Sequence, residues 1–105
     1  MQNQDGSRLL LELEKLRRDI NREIMNPAID EVSIEDFRPI ITIVARARLR
    51  YLEQLFAISK AAPDLPSRDK IAELEQRREA YDELCSAANA LETAVERGYL
   101  DVRYK

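Results

Sequence analysis

Apolar residues near the start of the chain fall at Leu9, Leu13, Leu16, Ile20 and Ile24, spaced by four and three. That spacing predicts an amphipathic helix over residues 7–25, with Ser7 as its N-cap and an end before Pro27. Residues 26–33 carry Pro27 among small, acidic and aliphatic residues and read as a connection. The next periodic stretch has two candidate starts. Ser33-Ile34-Glu35-Asp36 resembles a capping box, whereas Asp36 could cap a helix that takes Pro39 in its first turn, where a missing N–H is harmless. Pro39 favours the second start, and the helix then runs over residues 37–62, about 26 residues or roughly 39 Å. Pro63-Asp64-Leu65-Pro66 is a stiff break, and Ser67 can cap a third helix, expected over 68–97. Gly98 is suited to a left-handed C-cap with Arg97 beside it in the last turn. The tail, 98–105, alternates apolar and charged residues, the period of a half-buried strand.

At about 100° per residue, the second helix presents a wide apolar face with Phe37, Ile41, Val44, Ala45, Tyr51, Leu52, Leu55, Phe56 and Ala62. Such width suits contact with two neighbours. The third presents Ile71, Leu74, Tyr81, Leu84, Cys85, Ala88, Leu91 and Val95. A short loop between two helices of similar length makes them antiparallel neighbours. The expected fold is all-α: a three-helix bundle built on a long antiparallel helical hairpin, in one domain of residues 1–105, with a short extended C-terminal tail. Ala80, Ala87 and Leu91 widen the face of the third helix beyond what one partner covers, and they mark a possible dimer surface.

Composition narrows the chemistry. The chain is 45% hydrophobic and 35% charged with only two glycines, helix-like usage too apolar for disorder. Its 17 basic and 20 acidic residues give a net charge of -3, which makes nucleic acid an unlikely partner and opposes anionic membranes. No apolar run is long enough to span a membrane and no leader is evident, so a cytoplasmic protein is expected. Cys85 is the single cysteine and histidine is absent, which removes intramolecular disulfides, multi-thiolate metal sites and every histidine-based nucleophile pairing. No catalytic residue, cofactor or metal site is expected.

The arginines hold what chemistry remains. Helical geometry splits Arg46-Ala47-Arg48-Leu49-Arg50: Arg46 and Arg50 share the polar face, while Arg48 points toward the apolar face between Ile41 and Leu55. An arginine on a core-facing seam must snorkel or be paired. The hairpin register puts Arg48 level with Tyr81 and near Glu12, so a pair with Glu12 or a hydrogen bond to Tyr81 would fix helix register. Arg77 falls near the same seam, level with Leu52. Arg48, Arg77, Tyr81 and Glu12 therefore form a candidate anion or interface site. The carboxylates of Glu75, Glu79, Asp82 and Glu83 diverge into solvent, and Cys85 reads as a small core residue.

The function expected from these readings is a non-catalytic helical interaction protein, an adaptor, assembly factor or regulatory subunit, with a protein partner and a homodimer. The alternative from another class is a sensor or carrier of a small anionic ligand held by Arg48 and Arg77. A lesser one is nucleic-acid binding through Arg46, Arg50 and the first helix's Arg17, Arg18 and Arg22.

Overall fold

The computed structural model describes residues 2–61 and 64–104. Three long helices dominate: α1, Gln2–Met25; α2, Ile34–Ala61; and α3, Arg68–Glu96. Two short strands complete the described elements, β1 at Val32–Ser33 and β2 at Val102–Arg103, paired in parallel with Val32 opposite Val102 and Ser33 opposite Arg103. The all-α expectation holds at the level of helix content.

Boundaries differ where two local signals competed. α1 begins at Gln2, which puts the expected cap Ser7 inside the helix. α2 starts at Ile34 rather than residue 37, immediately after Ser33, and Pro39 lies inside it. Pro39 leaves one i→i−4 bond unmade there, and β1 passes into the helix from Ser33 to Ile34 without an intervening residue. α3 begins as expected: the Lys70 amide donates to Ser67 Oγ at 3.3 Å, and α3 ends at Glu96, one residue early. Ala62, the expected end of the second helix, and Pro63 lie outside the described residues.

The chain gathers into two compact units, one of residues 1–34 and 91–105, the other of residues 35–90. α1 falls in the first unit with the chain's C-terminal end, and residues 35–90, with most of α2 and α3, form the second.

In the first unit, α3 closes with a Schellman motif. Gly98 has φ +76°, its amide donates to the Val95 carbonyl at 3.1 Å, and the Tyr99 amide donates to the Ala94 carbonyl at 2.9 Å. Ala94, Tyr99 and Leu100 around this turn are all buried. With Val32, these are the buried apolar residues among those described. The Val32 amide donates to the Asp101 carbonyl at 2.9 Å, which starts the two-strand pairing. The tail that read as a lone strand thus has its partner in the connection before α2.

In the second unit, α2 turns Phe37, Ile40, Val44, Ala47, Tyr51, Gln54 and Ile58 out of solvent, wholly or in part, at alternating spacings of three and four, with Thr42 partly covered beside them. α3 does the same with Leu74, Arg77, Tyr81, Leu84 and Ala88. This is the spacing of a heptad seam on each helix. Side-chain bonds link Arg48 to Tyr81, Arg50 to Arg77 and Gln54 to Glu73, so positions rise along α2 as they fall along α3.

Candidate functional site

Three features of the surface are candidates, and each arises from where a helix puts its side chains. The first is the arginine seam of the second unit. Arg48 is exposed rather than core-facing; its Nε donates to the Tyr81 hydroxyl at 3.1 Å, and its guanidinium lies 5.3 Å from the Tyr81 ring centroid. The hydroxyl holds Arg48 still more firmly in its charged form. Tyr81 also meets Tyr51, with ring centroids 6.2 Å apart. Arg77 is half-buried, donating at 2.8 Å both to the Arg50 carbonyl and to Glu73. Gln54, the one buried polar residue among those described, donates to the other oxygen of Glu73 at 3.4 Å.

The seam therefore brings Arg48 and Tyr81 together and gives Arg77 acceptors of its own. Glu12, the other expected partner of Arg48, stands on an exposed turn of α1 in the first unit. Arg48 bonds through Nε alone, whereas both terminal nitrogens of Arg77 meet protein oxygens. Next to Arg77, a depression of about 260 Å³ is lined by Ala47, Arg50, Gln76, Arg77 and Ala80.

The second feature is a polar clasp in the first unit. Arg22 donates to the Gly98 carbonyl at 3.0 Å and pairs with Asp101, while Asn26 donates to Asp101 at 3.2 Å and accepts from its amide at 2.9 Å. Arg22 and Asn26, with their hydrogen bonds, hold the Asp101 carboxyl below the usual carboxylate range. Beside the clasp, Glu14, Arg17, Arg18, Glu96, Arg97 and Tyr99 line a depression of about 320 Å³. The neighbouring Tyr99 side chain holds Arg97 still more firmly in its charged form. Periodicity and composition give no role to Asn26 or Asp101. The signal available was a polar side chain every fourth residue, Arg18, Arg22 and Asn26, on the side of α1 opposite Leu9, Leu13 and Leu16.

The third feature is apolar. Every residue of α1 from Gln4 to Ile20 is exposed, including Leu9 at 65%, Leu13 at 41%, Leu16 at 56% and Ile20 at 46%. α2 carries a second stripe outside its seam, with Ile41 61% exposed, Leu52 41%, Leu55 48% and Phe56 58%. Of the residues expected at a dimer surface, Ala80 and Ala87 are exposed and Leu91 is half-buried. Cys85 is half-buried on α3. Among the described residues no helix is long and apolar enough to cross a membrane.

No protein-family model matches the chain, and comparison with curated proteins and with solved structures finds no significant match.

Proposed function

We propose that this is a non-catalytic helical interaction protein that self-associates, serving a protein partner as an adaptor, assembly factor or regulatory subunit. The observation that supports this is the uncovered apolar surface: whole turns of α1 and a full stripe of α2 show large aliphatic side chains to solvent. Scattered exposed leucines are ordinary, but aligned stripes on long helices are the usual form of a binding face. In this reading α2 and α3 act as one antiparallel hairpin, and the bundle is completed only in the assembly, by helices from more than one copy.

Sedimentation of the purified chain across a wide concentration range tests the proposal. Mass-action growth of a dimer or larger species is expected, and a strict monomer throughout would remove the self-associating part.

A second reading, a carrier of a small anion, is favoured by one observation, the gathering of Arg17, Arg18 and Arg97 around the depression beside the clasp. It adds to the expected pair Arg48 and Arg77, each of which keeps guanidinium donors beyond those bonded to Tyr81, Arg50 and Glu73. A thermal-shift series with inorganic phosphate and small carboxylates tests it, since a ligand at a hundredfold excess over its Kd adds about 2.7 kcal/mol. No shift with any of them would end it.

A further inference from the structure

The first unit uses only one side of α1 for its own contacts. Arg22 and Asn26 hold Gly98 and Asp101, and Arg18 Cδ lies 3.9 Å from where a β-carbon on Gly98 would stand. At 100° per residue, the stripe of Leu9, Leu13, Leu16 and Ile20 lies roughly 150° around the helix from these three residues. The clasp thus fixes the polar side of α1 and leaves the leucine side bare over more than four turns. A lone helix of this kind draws little stability from its own backbone and most from packing its apolar face.

Leu9, Leu13, Leu16 and Ile20 are spaced four, three and four, which sets Leu9 and Leu16 at d of a heptad and Leu13 and Ile20 at a. Glu12 and Asp19 then fall at g on one flank, and Leu10 and Arg17 at e on the other. In a parallel pair, a g residue faces the e residue five positions on in the second helix, which sets Glu12 against Arg17 of the second copy, twice by symmetry. In an antiparallel pair, like flanks meet, which sets Glu12 against Asp19 and leaves Arg17 facing Leu10. The charges select the parallel arrangement.

We propose that the leucine stripe of α1 is the seam of a parallel two-stranded coiled coil with α1 of a second copy of this chain. This rests on the self-associating reading and adds to it the helix, the register and the direction.

The test uses the full chain with Cys85→Ser and Leu13→Cys. Position a places the two new thiols face to face in the parallel register, whereas in the antiparallel one residue 13 meets Leu16. Under mild oxidation the proposal expects a disulfide-linked dimer as the main product, and little from the matched Leu11→Cys control, whose thiol points outward. Sedimentation of the reduced protein is run beside it. A dimer by sedimentation with no link through residue 13 would overturn the α1 seam and leave self-association standing, whereas a monomer would remove both. Separately, Glu12→Arg is expected to weaken the dimer several-fold and Glu12→Arg with Arg17→Glu to restore it. Failure of the double variant to restore what the single one lost would overturn the register.

Discussion

Replacing Gly98 with alanine isolates a single backbone angle. Gly98 sits at φ +76°, where an L-residue with a β-carbon is strained by about 1–2 kcal/mol. Space is not the obstacle, because the added methyl would meet Arg18 Cδ at 3.9 Å, an ordinary van der Waals distance. The substitution also narrows the unfolded ensemble, which offsets about 0.4–1 kcal/mol of that strain. The expected net destabilisation is therefore about 1 kcal/mol, a fall of roughly 0.5 M in the urea midpoint if the slope is about 2 kcal/mol/M. Equilibrium urea unfolding followed by far-ultraviolet circular dichroism reads it, with parent and variant at the same protein concentration, since association shifts apparent stability. Gly98→Asn should cost less than alanine, because asparagine enters the left-handed region more readily. An alanine variant as stable as the parent, or an asparagine variant worse than alanine, would refute the claim that the left-handed cap carries the cost.

The same geometry sets other outcomes. Leu100, only 3% exposed, belongs to a small core, so Leu100→Ala should cost about 2–3 kcal/mol in the same unfolding assay, near the low end for such truncations. The Asp101 carboxyl titrates below its unfolded value, so its stabilising effect is complete above the ordinary carboxylate range and is lost as pH falls through the folded value. Asp101→Asn should accordingly flatten the acid limb of a stability–pH curve below about pH 4 while leaving its neutral-to-alkaline shape unchanged. Arg48→Met should leave fold and midpoint almost unaltered, since Arg48 is exposed and bonded to one hydroxyl; a large loss of stability would show that it fixes helix register after all.

Helix number and the third helix's termini were legible because each rests on a local signal: spacing of apolar residues, Ser67 before α3 and Gly98 after it. Two things were not. The start of α2 depended on whether Ser33 or Pro39 governed, and a local rule cannot weigh a cap against the strand pairing that delivers it. That pairing joins Val32 to Val102 across most of the chain, and two-residue strands leave almost no periodic trace. The clasp was hidden for a related reason. Asn26 and Asp101 are ordinary surface residues until the Schellman turn at Gly98 sends the chain back along α1, where Arg22 and Asn26 already point.

The second helix shows how far a correct pattern can carry. Its apolar face was wide enough for two neighbours, and it does divide into two stripes, turned roughly 100° from each other. The stripe facing α3 sets Ala47 and Gln54 among Phe37, Ile40, Val44, Tyr51 and Ile58, with Arg77 and Ala88 among Leu74, Tyr81 and Leu84 on the opposing helix. The outward stripe holds Ile41, Leu52, Leu55 and Phe56. A monomer selected only for burial would put large aliphatic groups at positions 47 and 54 as well, where each is worth about 1.5–3 kcal/mol. Ala47 and Gln54 within that seam instead favour close approach and a defined register, as a single buried asparagine does in a coiled coil. Gln54→Leu separates the two contributions: it should leave the midpoint within about 1 kcal/mol of the parent, because an apolar replacement also removes a hydrogen-bonding need. What it should loosen is register, read as broadened amide resonances along α2. A Gln54→Leu chain with sharp, parent-like resonances would mean that the inner seam takes its register from Tyr81 and Arg77 instead, leaving Gln54 no part in the specificity of the pair.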